Sequence, residues 1–384
     1  MPTEILHPGV YVEELPSGPR SIAGLPTSVA LFIGVAPQGT ARRAIRVRSG
    51  ADVNREVGLP APGNLLGASL LEFFANGGRD AWALSVTGDD SLTPASPAFL
   101  TALDGLLAPG GPVAQVEAFN LLVVPGLTDV PTIVRLQALC RERSAFLVLD
   151  APAGADQAAV IAYAQALSAG PDAGYSALYD PWVEVLDPMA PGAPRLAPPS
   201  GLVAGVYARI DEEVGVWKSP AGLTATLVGV TGMARLIDDR AQDVLNPLGV
   251  NALRLFIPYG PVVWGARTLD TGDAEARYVP VRRTLMFIEG SLASGLQWVV
   301  FERNDEALWS AVRQSVVQFL TLLWQQGALF GSSLDDACFV ACGRGTTMTD
   351  ADVAAGRLRL SVGVALIRPA EFIVVNLELA TAGP

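Results

Sequence analysis

Histidine occurs once in this chain, as His7, inside a stretch that also holds Pro2, Pro8, Pro16, Pro19 and Pro26. A Ser/His/Asp or Cys/His relay needs an imidazole fixed by a third group, and a leader with that density of proline forms no helix to fix it. The carboxylates offer a second chemistry. Asp150 closes the apolar run Ala145-Phe-Leu-Val-Leu-Asp150, and Asp187 follows Trp182-Val-Glu-Val-Leu186. Open α/β sheets bind ligands at the carboxyl ends of their strands, so these two aspartates define an enzyme alternative. Both also lie beside proline, in Asp150-Ala-Pro152 and Asp187-Pro188, where aspartate forms turns, and that reading is preferred.

Metal and phosphate chemistry fare no better. Cys338 and Cys342 are four residues apart in an apparent strand, about 13 Å at ~3.3 Å per residue, too far for a disulfide, and no second ligand pair accompanies them. Three cysteines, an odd number, fit a reducing compartment. The glycines of Pro198–Asp211 and Gly215–Gly222 lack the Gly-Lys-Ser/Thr ending of a phosphate cradle, and Cys342-Gly-Arg-Gly-Thr-Thr347 has only two glycines; both read as tight turns. No cofactor is expected.

The 384 residues are half apolar and 17% charged, with a net charge of −12. That allows a large core and two domains, and it argues against a nucleic-acid partner, which calls for a basic face. Glu4, Glu13 and Glu14 stand where a targeting peptide would carry basic and apolar regions, and apolar runs such as Val29 to Ala36 are too short to span a bilayer. A soluble chain made in the cytoplasm is expected.

The elements that would position these groups read as α/β, with mixed α+β character. Ser28–Ala36 suits a strand buried on both faces. A helix is expected over 64–76, with Asn64 as its cap and Gly77-Gly78 as its stop. Leu121–Val124, a helix around Thr132 to Arg143, Ala145–Asp150, a helix near Asp156 to Ser168 and Trp182–Leu186 alternate as strands and helices of one sheet. The Ser-, Pro- and Gly-rich segment near 88–118 reads as an exposed excursion. A helix from Pro280 places Val281, Leu285, Ile288 and Leu292 inward, leaving Arg282 and Arg283 beside Arg277 as either a solvated basic face or a docking patch for an acidic surface. The strongest helix runs from Asp305 to Gln326, with Asn304 as a possible cap. At the two ends, Val10, Tyr11, Val12 and Glu13, and Phe372, Ile373, Val374, Val375 and Leu377, belong to short strand-forming arms that need a partner edge.

Val263-Val-Trp-Gly-Ala-Arg-Thr-Leu-Asp270, Arg277-Tyr-Val-Pro-Val-Arg-Arg283, Trp298-Val-Val-Phe-Glu302 and Arg368-Pro-Ala-Glu-Phe-Ile373 resemble the sheath proteins of contractile phage tails and phage-like injection systems. Pro8-Gly-Val-Tyr-Val-Glu-Glu14, Phe32–Ala36, Phe73–Gly78, Tyr179-Asp-Pro-Trp182 and Gly205-Val-Tyr-Ala208 are similar to the same family in the same order. The segment after residue 88 is short where many phage sheaths carry large outer domains, and Gly343-Arg344 stands where the family often has an acidic residue.

The resemblance implies a two-domain tail-sheath fold: an N-terminal arm over 1–26, an outer α/β domain over 27–247, an inner tube-proximal domain over 248–367 and a C-terminal strand arm over 368–384. It implies a structural protein, not an enzyme. Its partners would be further copies of itself in a helical polymer of hexameric rings, an inner tube protein, and baseplate and tail terminator or cap proteins, with no direct membrane insertion. The particle would be a phage tail or a released phage-like assembly, with Arg277, Arg282 and Arg283 as candidates for contact with the tube.

Overall fold

The computed structural model describes residues 20–36, 43–58, 64–87, 93–187, 190 and 192–371. Among the described residues two compact units emerge, one comprising residues 25–290 and 366–371, the other comprising residues 20–24 and 291–365.

The larger unit runs through β1 (Ala30–Ala36), β2 (Ile45–Val47), α1 (Gly50–Glu56), α2 (Leu65–Ala75), β3 (Ala81–Thr87), α3 (Pro97–Leu107), β4 (Leu121–Val123), α4 (Val130–Arg143), β5 (Phe146–Asp150) and α5 (Gln157–Ser168). It continues through β6 (Ser176–Asp180), β7 (Val183–Leu186), β8 (Pro194–Ala197), α6 (Ser200–Glu213), β9 (Val230–Met233), α7 (Asp239–Leu245), β10 (Val250–Phe256), β11 (Gly260–Val263) and the part of α8 (Val279–Gly295) up to Gly290. Eight strands form one mixed sheet in the order β11-β10-β6-β5-β4-β1-β3-β2, parallel except for the antiparallel edge strands β11 and β2.

Both faces of the sheet's centre are covered, which is why β1 and β4 are apolar throughout and β5 up to its closing Asp150. From β1, Ala30, Phe32 and Ala36 join one core with Leu66, Leu70 and Phe73 of α2 and Leu202, Val203 and Val206 of α6. Leu31, Ile33 and Val35 join the other, with Phe99 and Leu103 of α3, Ile133 and Leu136 of α4 and Val160 and Leu167 of α5. Helix starts follow their capping residues: Asn64, Asp129 and Asp156 each accept a backbone N–H from the first turn of α2, α4 and α5.

Four expectations need correction. The stretch near 88–118 is no exposed excursion where it is described: Ser96 caps α3, Pro97 fills its first turn, and Phe99, Leu103, Leu106, Val113 and Val116 are buried. Residues 200–213 are not a turn but the buried helix α6. Its Gly201 and Gly205 let it approach α2 so closely that a Cβ there would come within 2.6 Å of the Ser69 carbonyl oxygen and 2.5 Å of that of Phe73. Trp182–Leu186 does not complete the main sheet; β7 forms a separate antiparallel sheet in the order β8-β7-β9. Residues 248–290, grouped by the sequence reading with those that follow, supply β10 and β11 to the large sheet.

The smaller unit holds α9 (Glu306–Gln325), β12 (Cys338–Ala341) and β13 (Ser361–Val364). Asp305 caps α9, while Asn304 accepts the Trp309 indole N–H at 2.7 Å. Trp309, Cys342 and Met348 form a small core, and β12 and β13 pair as a two-stranded antiparallel sheet.

Candidate functional site

The enzyme alternative is tested at Asp150. It is 1% exposed at the end of β5, and its Oδ1 accepts the Ser200 backbone N–H at 2.7 Å. Oδ2 accepts the Ser200 hydroxyl at 2.7 Å and the Gly126 N–H at 2.9 Å. Helix α6 has Pro199 at its cap position and no side-chain cap of its own, so Asp150 supplies the missing acceptor at the positive end of the helix. Burial outweighs these hydrogen bonds and pushes its carboxyl up to about 6. Trp182 lies over the same strand ends, donating its indole N–H to the Ala151 carbonyl at 2.7 Å. Asp187 lies beyond β7, in the other sheet, where its backbone N–H bonds the Ala193 carbonyl at 2.9 Å. The pair does not share a strand edge. A cavity of about 150 Å³ lies elsewhere, lined by Thr27, Asn120, Arg143 and Met286 among others.

The three arginines do not form one patch. Arg283 is buried and makes a two-pronged ion pair with Asp211 of α6, at 2.9 and 2.6 Å, with both side chains 3% exposed. It also donates to the Thr27 carbonyl at 2.9 Å and lies 4.8 Å from the centre of the Tyr207 ring. Its placement on an exposed docking face is therefore corrected: the guanidinium is committed inside the unit. Arg282 is half-buried, 4.9 Å over the Tyr175 ring, with its buried Nε unpartnered. Arg277 is half-buried and donates to the Thr271 carbonyl at 3.2 Å.

A different arginine gathers three of the quoted motifs. Arg267 of Trp264-Gly-Ala-Arg-Thr268 donates through Nε to Glu371 Oε1 at 2.8 Å and Oε2 at 3.2 Å, and through Nη2 to Oε2. Tyr278 adds its hydroxyl to Glu371 Oε2 at 3.2 Å. Arg267 Nη1 donates to the Asn246 carbonyl at 3.1 Å. Asn251, fully buried on β10, clamps the Arg267 backbone from both sides, accepting its N–H and donating to its C=O, each at 2.7 Å. The node joins residues 104 apart in sequence. The Glu371 hydrogen bond and charge raise the Arg267 pKa further above its ordinary value.

The phage tail sheath central domain matches residues 96–269, and the phage tail sheath C-terminal domain matches residues 271–380. The chain belongs to the contractile tail sheath family. A putative prophage major tail sheath protein of Pseudomonas aeruginosa (strain UCBPP-PA14) is 30% identical over 219 residues, covering 55% of this chain and 53% of that protein. The chain spans about half the length of the curated relatives it matches first. Among solved structures, the sheath complex of the extracellular contractile injection system PVC in its contracted state is 32% identical, with a TM-score of 0.78 over 98% of both chains. A chain of the anti-feeding prophage baseplate is 31% identical, with a TM-score of 0.75, over 98% of this chain and 100% of that one.

The sequence predicts strand-forming arms at the two ends. Val10, Tyr11, Val12, Glu13, Phe372, Ile373, Val374, Val375 and Leu377 lie outside the described residues. The residues adjoining them are described. Ile22 is buried against Gly295, where a Cβ would meet its Cγ2 at 2.6 Å, and Arg20 lies 5.1 Å over the Trp298 ring. Glu371 is held by Arg267 and Tyr278. The sequence reading missed this ion pair; its signal was an arginine and a glutamate of opposite charge inside two family motifs, and nothing in the sequence pairs them. Among the described residues no helix is long and apolar enough to cross a membrane, and no group of three or more His, Cys, Asp or Glu is placed to hold a metal.

Proposed function

We propose that this chain is the sheath subunit of a contractile tail or injection particle. Copies stack as hexameric rings around an inner tube and are joined when the N- and C-terminal strands of one copy add to a sheet of its neighbours. The observation that carries the reading is the β12–β13 sheet of the smaller unit. It has only two strands, and neither outer edge is hydrogen-bonded to a further strand among the described residues. Such a sheet is marginal by itself, and an open edge is a template for another chain. Val10–Glu13 and Phe372–Leu377 have the composition to fill it.

A baseplate signal releases the extended polymer, subunits rotate into tighter packing, and the arms keep them connected. The energy lies in interface packing, with no nucleotide, cofactor or catalytic step in this chain. Arg277 and Arg282 contact the tube through screened charges weak enough to slip; Arg283 supports them from inside. Baseplate and terminator or cap proteins close the polymer, which forms in the cytoplasm and acts within a phage tail or released particle.

Electron microscopy of the purified chain tests this reading: hollow tubes are expected, and discrete globules at all concentrations overturn it. Removing residues 372–384 is expected to abolish tubes while leaving the thermal midpoint of the unpolymerised chain within about 2 °C of the parent.

A further inference from the structure

Glu371 stands immediately before the strand-forming run 372–379. Six residues earlier, Ala365 is still fixed in the smaller unit, its N–H bonded to the Ala337 carbonyl at 2.8 Å and its carbonyl accepting from Phe330 N–H at 2.7 Å. An arm held by a neighbour and pulled from residue 372 meets Glu371 first. We propose that Arg267 and Tyr278 form a receptor for the Glu371 carboxylate that fixes the root of the C-terminal arm on the larger unit. Tension in the arm then enters β10 and the eight-stranded sheet and bypasses the β12–β13 pair. This rests on the arm-exchange reading and names the point at which the exchanged arm is anchored.

The receptor is built before the arm is pulled. Asn251 fixes the Arg267 backbone to β10, and Asn246 takes one guanidinium nitrogen, so the remaining fork of Nε and Nη2 faces the two carboxylate oxygens. Forked arginine–carboxylate bonds are among the stronger and more directional contacts available to a side chain. Arg267 and Glu371 side chains are 10% and 18% exposed, so salt screens the pair weakly. Without Glu371 the arginine is left mostly buried and unpaired, which is the costly way to break such a pair.

A fixed root makes the two sides of Glu371 unequal. Two extra residues upstream, between Leu366 and Ile367, lengthen a segment held at both ends and leave the arm beyond Glu371 unchanged. The same Gly-Ser insertion between Glu371 and Phe372 moves the whole arm by two residues relative to its root. The test uses the full chain, its two insertion variants and Glu371→Gln, with free-subunit concentration at equilibrium read by sedimentation and thermal unfolding of the unpolymerised chain as the fold control. The downstream insertion and Glu371→Gln are each expected to raise free subunit at least about tenfold, and the upstream insertion to change it less than about threefold. Equal effects of the two insertions, or a Glu371→Gln variant that assembles like the parent, would overturn the anchor while leaving the polymer intact. A parent chain that forms no polymer overturns the arm-exchange reading itself.

Discussion

The two compact units differ in what marks them: buried ion pairs in the larger, exposed phenylalanines and a two-stranded sheet in the smaller. In the larger one, buried charges face partners: Arg283 faces Asp211, Arg267 faces Glu371, Arg235 bonds Asp180, and Asp150 receives three hydrogens. In the smaller one, the two-stranded sheet has no further strand beside it among the described residues. Phe301, Phe330 and Phe339, the only exposed phenylalanines among the described residues, all lie there. Phe301 is wholly exposed and has a φ of 71°, in the left-handed region that disfavours a bulky residue. The described residues next to the two expected arms follow the same division, apolar at Ile22 and ionic at Glu371. The larger unit holds its buried charges, the Arg267–Glu371 pair among them, by directed bonds; the smaller presents aromatic surface beside a two-stranded sheet.

If that contrast is right, the larger unit breaks when a buried charge loses its partner. Asp211→Ala strands the Arg283 guanidinium among Tyr207, Thr27 and the α6 backbone, and should cost about 3–5 kcal/mol of stability, measured by urea unfolding of the unpolymerised chain. Asp211→Ala with Arg283→Met removes both charges and should recover most of the loss. A single variant within about 0.5 kcal/mol of the parent would mean that the pair is not sealed from water.

What the sequence disclosed follows the same division of causes. Helices α2, α4, α5 and α9 were legible because an Asn or Asp cap precedes a run of apolar residues at helical spacing. Helix α6 was not, because its glycines resemble turn residues until α2 is in place for them to approach. That omission produced the next one. Arg283 lies off the apolar stripe of α8 and looks solvent-facing on a helical wheel, but its partner Asp211 lies on the unread α6. Helix α3 was hidden by Ser96 and Pro97, which signal a helix start as readily as a loop. The Arg267–Glu371 node was beyond reach because pairing across 104 residues is set by the sheet.

A subtler break in the larger unit is at Asp150. Asp150→Asn keeps the shape but turns one acceptor into a donor facing N–H and O–H groups, and should cost about 1–3 kcal/mol at pH 7. Burial raises the folded-state carboxyl to about 6, above its ordinary value of 3.8, so the native chain binds this proton more tightly than the unfolded one. The resulting contribution, at most about 3 kcal/mol, is fully present below pH about 4 and is lost as pH rises through about 6. Parent and Asp150→Asn stabilities compared at pH 4.5 and 7.5 should therefore diverge further at the lower pH. A gap that narrows on acidification would contradict the burial of this carboxyl.

The smallest effect on stability is expected in the smaller unit. Phe339 is 60% exposed on β12, and its ring lies across Gly363 of β13, where a Cβ would come within 2.0 Å of it. Most of that ring is already in water, so Phe339→Ser should change the unfolding free energy of the unpolymerised chain by only about 0.5 kcal/mol. In a polymer whose arms cover this face, the same change removes burial of a phenylalanine, of order 1.5–3 kcal/mol per interface and about tenfold or more in free subunit. The ratio of the two effects measures how unfinished this surface is. A Phe339→Ser variant that lowers monomer stability as much as it weakens assembly would mean that the small sheet is complete without its neighbours, and that the contrast between the units lies in their charges alone.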